Sequence, residues 1–245
     1  MHYPAVGHCI YCGNDSGPLS DEHILMAALD GNLILDKASC HACASITSDL
    51  ERIVARNMWG AYRVAGGMGR RKSKRPSAFT MQTGPRGEGL TPENVPLEKV
   101  PLIFQFPVLP APAAITGKRV HTIDLKIVTL NPEVLAHYKG RRFNAPPMDL
   151  PVICRVLGQT ALAYAVADRG GTFMPIIQDA ILGRHPYPMD FVGRLGMGKP
   201  PNPTQTWSLR MIQQPFKGKN YVAVGVSLFP CYGAPEYAVV VGEEA

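Results

Sequence analysis

Four of the six cysteines form two C-x-x-C pairs, a spacing typical of metal sites. The pairs are Cys9-Ile-Tyr-Cys12 and Cys40-His-Ala-Cys43. Together they offer the four thiolates that a tetrahedral structural Zn²⁺ requires. A redox or chance pairing is the alternative, and two matched pairs so close together in the chain disfavour it. We predict a structural zinc ion bound by Cys9, Cys12, Cys40 and Cys43.

The segment between the two pairs contains a second group of reactive residues, Asp21-Glu22-His23. A carboxylate can bind a hard cation that neutralises charge on a scissile phosphate, and a histidine can take a proton from water. Such a triplet is more often a solvated surface turn. Because it lies inside the cysteine frame and ahead of a basic helix, we interpret it as a site for phosphodiester hydrolysis.

Basic charge is concentrated in one part of the chain. The net charge is +6, yet residues 1–50 carry six acids and one base, whereas residues 51–80 carry eight bases and one acid. A basic block beside an acidic one indicates a polyanionic partner that is held by the block and acted on nearby. We therefore expect a nucleic acid as the partner, and the family resemblance given below implies that it is DNA.

The basic block divides into a helix and an arm. Apolar residues recur at three- and four-residue steps from Ile46 to Ala65, which predicts a helix ending at Gly66-Gly67. The opposite side carries Arg52, Arg56, Trp59 and Arg63 within an arc of about 60°. This stripe could contact the phosphates and bases of a nucleic acid, or it could be an ordinary solvated face. The arm, Arg70 to Arg75, could add salt-sensitive affinity for nucleic acid, or it could only improve solubility. The candidate nucleic-acid-binding residues are Arg52, Arg56, Arg63, Arg70, Arg71, Lys72, Lys74 and Arg75.

The order of these motifs resembles the zinc-bearing HNH endonucleases, whose nuclease core is a ββα-metal fold. The resemblance is specific over about residues 7–76 and follows C-x-x-C, Glu-His-Ile, Asp-Gly-Asn-Leu and Ala-Ser-Cys-x-x-Cys. It implies that His23 is the general base, that Glu22 binds a catalytic Mg²⁺ or Mn²⁺, and that Asn32 braces the loop that orients His23. It also implies that the four cysteines hold the structural zinc.

Two positions depart from the family pattern. Met26 stands where many members have proline, a change that affects the loop. Ala44 stands where the family has an asparagine or histidine that contributes to the catalytic metal, and alanine offers no ligand. His41, Thr47, Ser48 and Glu51 are alternatives, and Glu51 could reach partly back because helical side chains lean toward the N-terminus. We expect a weaker cation site.

The chain as a whole is predicted to have an α+β fold with two domains. A zinc-binding nuclease domain would span residues 1–76, and a Pro-rich linker with few regular elements would span 77–117. An α+β domain that selects substrate, partner or oligomeric state would span 118–245. There we expect a strand over His121–Leu130, a helix over Leu150–Ala167 and a hairpin of Tyr221–Pro230 with Tyr237–Val241.

Three classes of function remain open at this stage. The first is a metal-dependent HNH endonuclease, the second a nucleic-acid-binding module that has lost activity, and the third an interaction domain in which zinc only stabilises the fold. No apolar run of about 18 residues and no signal-peptide pattern is present, so we expect a cytoplasmic protein without a membrane partner.

Overall fold

The computed structural model describes residues 1–69, 75–120, 122–194 and 205–244 and has an α+β fold. This confirms the predicted fold class. In chain order the elements are β1 (His2–Tyr3), β2 (Leu19–His23), β3 (Ile34–Cys40), α1 (His41–Ile53), α2 (Gly60–Ala65), β4 (Ala78–Pro85), β5 (Thr91–Pro96), β6 (Ile103–Val108), α3 (Ala113–Thr116), β7 (Asp124–Thr129), β8 (Arg141–Phe143), α4 (Leu150–Arg169), β9 (Phe173–Pro175), α5 (Gln178–Ile181), β10 (Val192–Gly193), β11 (Trp207–Phe216), β12 (Lys219–Leu228) and β13 (Glu236–Glu244).

The N-terminal part is built from a β-hairpin followed directly by a helix. Strand β3 lies between β1, which is parallel to it, and β2, which is antiparallel. The β2–β3 ladder is irregular between Ser20 and Glu22, where Lys37 has a φ of 46° and its N–H donates to the Asp21 carboxylate at 3.1 Å. The helix α1 begins one residue after β3 ends, so strand and helix are held in a fixed relation.

The predicted helix after the second cysteine pair is present but is not regular. A π-helical segment, Val54–Met58, separates α1 from α2, and Trp59 breaks the helix with φ −114° and ψ 12°. A π-helical turn places more residues in each turn than an α-helix does. Side chains after residue 54 are therefore rotated relative to the faces predicted from a regular helix.

The expectation that residues 77–117 contain few regular elements is wrong. Three strands lie in this range, and β4 is the central strand of a sheet with the order β5-β4-β8. Prolines misled the prediction because they are tolerated on edge strands and at strand ends. Pro92 and Pro96 are in the edge strand β5, Pro85 ends β4, and Pro107 is in the two-stranded sheet β6–β7.

The C-terminal half contains the elements expected there. Helix α4 covers the predicted range, β12 and β13 pair as an antiparallel hairpin, and β7 lies within the predicted strand, whose first residue, His121, is outside the described residues. Strand β11 extends this hairpin into a sheet with the order β10-β13-β12-β11, and β9 also pairs with β13.

Helix α4 is the centre of the main core. Thirteen of its twenty residues are buried, and it contacts the sheet formed by β12 and β13 as well as α1 and β2. By length and composition it could cross a membrane, but 72% of that stretch is buried inside the protein, as in the core helix of a globular domain. The main apolar core is continuous from Cys9 to Val241 and crosses the domain limits predicted at 76 and 117.

Candidate metal centre and the neighbouring carboxylates

The four predicted cysteines lie together at the start of α1. Their sulfur atoms are all within 4.8 Å of one another, and the Sγ atoms of Cys12 and Cys40 are 3.7 Å apart. Thiolates about 2.3 Å from a tetrahedral zinc are separated by about 3.8 Å. The cluster could therefore hold a zinc ion. Among the described residues, no other group of three or more His, Cys, Asp or Glu side chains meets in this way.

Local backbone structure shapes both cysteine pairs into knuckles. After the first pair, the N–H of Gly13 donates to the carbonyl of Cys9 at 2.8 Å, and Gly13 has a φ of 75°, a conformation that favours glycine. In the second pair, Cys40 is the N-cap of α1. A backbone hydrogen bond from Cys43 lowers the pKa of the Cys40 thiol to about 7, which favours the thiolate that binds zinc.

Glu22 is buried against the C-terminal half. Its side chain is 5% exposed, and its Oε1 accepts a hydrogen bond from the hydroxyl of Tyr11 at 2.8 Å. The same oxygen accepts a bond from Nε2 of Gln159 on α4 at 3.0 Å. The predicted metal ligand therefore points into the protein, where residues from three separate segments surround it.

Glu51 reaches the same place from α1. Its Oε1 accepts a hydrogen bond from Nε2 of Gln159 at 2.9 Å, so one amide nitrogen contacts both carboxylates. Thr47 and Ser48 instead donate to the backbone carbonyl of Ala44. Of the alternatives to Ala44 considered from the sequence, Glu51 is thus the one that shares a hydrogen-bonding partner with Glu22. We call Glu22, Glu51 and Gln159, with the hydroxyl of Tyr11, the carboxylate cluster.

Burial controls the electrostatics of this cluster. Desolvation raises the pKa of Glu22 to about 7, although its hydrogen bonds oppose the shift. Desolvation and the nearby charge of Glu22 raise the pKa of Glu51 to about 7 as well. Neither carboxylate forms an ion pair with a lysine or arginine among the described residues.

His23 and Asn32 occupy the rim of the same hairpin. His23 is the last residue of β2, pairs with Ile34 in the ladder and is half-buried. Because successive side chains of a strand point to opposite faces, His23 is directed away from the face of Glu22. Asn32 is exposed, and its backbone carbonyl accepts a hydrogen bond from the N-terminal amine at 2.6 Å.

The loop between the two strands is constrained at Gly31. A Cβ atom on this residue would lie 2.1 Å from the carbonyl oxygen of Leu25, so any other residue would force the backbone apart. The neighbouring Asp30 accepts a hydrogen bond from the N–H of Gly69 at 2.9 Å, which ties the loop to the end of the basic helix. The Asp-Gly-Asn motif therefore has a structural role in positioning β2 and β3.

The prediction that Trp59 lies on the arginine stripe is wrong. Trp59 is 7% exposed and packs edge-on against Phe229 at 5.1 Å between ring centroids, with Phe104 at 6.5 Å. The π-helical segment before it explains the difference, because the faces were predicted for a regular helix. Trp59 joins the helix to the C-terminal half and is not available to a base.

The described arginines differ in how their side chains are engaged. Arg52 is exposed and pairs with Asp49 at 3.0 Å, and Arg56 is exposed with no ion pair to a described residue. Arg63 donates to the carbonyls of Ala55 and Ala28, and burial together with Arg56 and Arg75 lowers its pKa.

Arg75 donates to the carbonyls of Gly67, Met68 and Gly69 just after α2. Because it also lowers the pKa of Arg63 together with Arg56, these three guanidinium groups form one basic cluster. The remaining predicted residues of the arm, Arg70, Arg71, Lys72 and Lys74, lie outside the described residues.

Sequence reasoning missed two members of the carboxylate cluster. Tyr11 is in the first cysteine pair and is buried, and Gln159 is 2% exposed in an apolar helix. The signal for Gln159 was present as two polar residues, Gln159 and Thr160, in a long apolar run. Its partner could not be read from the pattern, because Glu22 lies 137 positions away in sequence.

Comparisons with protein-family models, with curated proteins and with solved structures give no match. The resemblance to the HNH endonucleases therefore depends on the motifs within residues 7–76, and the capacity to bind zinc depends on the geometry of the four cysteines.

Proposed function

We propose that this protein is a metal-dependent endonuclease that hydrolyses phosphodiester bonds in DNA. The observation that carries the proposal is the meeting of Glu22, on the first strand of the hairpin, with Glu51, on the helix that follows it. Two carboxylates that converge from a β-strand and a helix beside a cysteine cluster can hold a hard cation. The motif order of the HNH endonucleases supports this reading.

The residues of the N-terminal part have distinct roles in this proposal. Zinc on the four cysteines fixes the start of α1 against the β-hairpin and so holds Glu22 and Glu51 in place. Glu22 and Glu51 would hold a divalent cation, Mg²⁺ or Mn²⁺, which would neutralise charge at the scissile phosphate and the leaving oxygen. The family resemblance assigns His23 as the general base that accepts a proton from the attacking water. Because alternation along β2 directs its side chain away from Glu22, that water would have to lie beyond the end of the strand.

Substrate affinity comes from the arginines. Arg56 is exposed, and Arg63 and Arg75 keep N–H groups beyond those that bind backbone carbonyls, because a guanidinium has five donors. Contacts of this kind to phosphates are independent of sequence and sensitive to salt. The C-terminal half then selects the substrate or the oligomeric state. Action in the cytoplasm is part of the proposal, because four of the six cysteines are arranged to bind a metal ion and need no oxidising compartment.

A cleavage assay tests the proposal. Supercoiled plasmid is incubated with the zinc-loaded protein and Mg²⁺ or Mn²⁺, and nicked and linear products are quantified. His23→Ala should abolish cleavage and leave DNA retention unchanged, since the imidazole acts only on the attacking water. His137→Ala, which changes an exposed histidine of the C-terminal half, is the matched control and should cut like wild type. Failure of wild type to cut with any divalent ion contradicts the proposal.

A second candidate is a zinc-stabilised nucleic-acid-binding protein without activity. The burial of Glu22 under Gln159 favours it, as does Ala44, which offers no ligand where the HNH family places one. This candidate predicts that plasmid is retained in a gel shift and released by salt, while no nicking occurs. A protein that is not retained by DNA at low salt would exclude both candidates and leave the interaction-domain class.

A further inference from the structure

We propose that Gln159 is a ligand of the divalent cation, so that Glu22, Glu51 and Gln159 form a three-oxygen site shared between the two halves of the chain. This inference rests on the proposed function, because it assigns ligands to the cation which that function requires. It also supplies the oxygen that Ala44 cannot.

The position of the Gln159 amide is the first observation. Its nitrogen is 3.0 Å from Oε1 of Glu22 and 2.9 Å from Oε1 of Glu51, so the amide group is directed at the space between the two carboxylates. The hydroxyl of Tyr11 holds the Glu22 carboxylate from another side at 2.8 Å. Three side chains from β2, α1 and α4 thus converge on one point.

The other end of the same amide is the second observation. Gln159 is 2% exposed, yet its Oε1 has no hydrogen-bonding partner. A buried polar group without a partner is unfavourable, because it has lost its hydrogen bonds to water. Rotation of the amide about its last side-chain bond exchanges the oxygen and the nitrogen. The oxygen then faces the carboxylates, an arrangement that requires positive charge between them, either a bound cation or a proton on one of the carboxyl groups.

Charge supplies the third observation. Among the described residues no lysine or arginine pairs with these two buried carboxylates, and a bound metal ion is one of the positive charges that would compensate them. Carboxylate and amide oxygens are the ligands that Mg²⁺, Mn²⁺ and Ca²⁺ prefer. Glu51 is less buried than Glu22, so it is the ligand nearer to solvent.

The rival explanation is that Gln159 only ties α4 to the hairpin by donating to both carboxylates. The two explanations differ in what a substitution does to metal binding. A pure tie predicts that loss of the amide lowers stability and leaves the free carboxylates at least as ready to bind a cation. A ligand predicts that metal affinity falls.

Binding of Mn²⁺ is measured on the zinc-loaded full-length chain by electron paramagnetic resonance and calorimetry, without DNA. Wild type should bind one Mn²⁺ per chain in addition to zinc. Gln159→Leu and Glu51→Gln should each weaken this binding by about tenfold or more. Gln178→Leu is the matched control, because the Gln178 amide also links the halves, donating to the carbonyl of Ile10 at 2.8 Å, but lies outside the cluster.

Gln159→Glu keeps an oxygen ligand and tests the same claim if the leucine variant does not fold. It should bind Mn²⁺ at least as tightly as wild type. Absence of a Mn²⁺ site in wild type, or equal affinity in Gln159→Leu and wild type, overturns the inference. Plasmid cleavage that persists in Gln159→Leu would retain the proposed function and refute this site. Mn²⁺ binding as expected, without cleavage of plasmid by any variant or by wild type, would retain this site and refute the proposed function.

Discussion

The cysteine cluster and the carboxylate cluster use the same hairpin and the same helix, but they differ in how far their parts lie apart in the chain. The four cysteines come from residues 9–43, and each pair is shaped by its own backbone turn. The carboxylate cluster joins Glu22 and Glu51 to Gln159, which lies more than 100 positions further along in α4. One cluster belongs to the N-terminal part alone, while the other requires the whole fold.

This difference indicates which part of the molecule controls which property. A zinc site made from local turns can form before the C-terminal half is in place and can survive its loosening. The carboxylate cluster depends on the docking of α4, so the cation site assigned to it would be formed only in the complete protein. Four changes would test this contrast, and the expected effects decrease from the first to the last.

Loss of the cysteine cluster should have the largest effect. Cys43→Ser removes one thiolate, and structural zinc contributes about 10–16 kcal/mol of apparent binding free energy in small domains. We expect loss of bound zinc and unfolding of the N-terminal part, and with it loss of the carboxylate cluster. Metal content by mass spectrometry and thermal melts by circular dichroism measure both. Cys231→Ser, at a half-buried cysteine outside the cluster, should keep its zinc.

A weaker contact between the N-terminal part and the C-terminal half should impair the carboxylate cluster and leave the cysteine cluster intact. Trp59 packs against Phe104 and Phe229, and replacement of a buried tryptophan by alanine costs about 3–5 kcal/mol. We expect Trp59→Ala to lower the urea midpoint strongly and to weaken the binding of Mn²⁺, with zinc retained in the folded protein. If zinc and Mn²⁺ were lost together, the two clusters would not be independent.

The carboxylate cluster should add its own pH dependence to the stability of the protein near neutral pH. Burial raises the pKa of Glu22 and Glu51 from 4.5 to about 7, so the folded state holds a proton more tightly than the unfolded state. The associated stability is fully present below about pH 4.5 and is lost as the pH rises through about 7, where the buried carboxyl groups lose their protons.

Urea titrations of zinc-loaded protein without other divalent ions, at several values between pH 5.5 and 8, measure this loss. The unfolding free energy of Glu51→Gln should change less with pH than that of wild type. Any pH dependence that comes from zinc binding is common to both proteins and cancels in the comparison. Identical slopes for the two proteins would show that the carboxylates do not titrate in this range.

The smallest effect is expected at the surface. Arg56 is exposed and forms no ion pair with a described residue. Arg56→Ala should change the unfolding free energy by less than about 0.5 kcal/mol and lower the salt slope of DNA binding by about one. Arg184→Ala, at an exposed arginine of the C-terminal half, is the comparison and should leave the slope unchanged. Equal slopes for Arg56→Ala and wild type would remove Arg56 from the DNA surface.

The sequence was sufficient where structure is determined locally. The cysteine spacing predicted the metal cluster, the length of an apolar run predicted α4, and two apolar stretches around a turn predicted the β12–β13 hairpin. The sequence was insufficient where a short segment changes the helical periodicity, and where two residues in contact are far apart in the chain. The π-helical segment before Trp59 rotates the helix face without an obvious sequence signal, and no pattern connects Gln159 to Glu22.

The prolines show a further limit of local reasoning. Their density between residues 77 and 117 predicted an irregular linker, whereas they lie on edge strands and strand ends, where a missing N–H is tolerated. Strand order is a property of the folded sheet, so edge and centre cannot be told apart from composition. The long strand β11 was not predicted either.

A crystal soaked in Mn²⁺ and measured at the zinc and manganese absorption edges tests the central claim most directly. We predict a zinc peak among the four cysteine sulfurs and a manganese peak between Glu22 and Glu51, with the oxygen of Gln159 turned toward the manganese. A zinc peak without a manganese peak at the carboxylates, with the nitrogen of Gln159 still bonded to both, would contradict it.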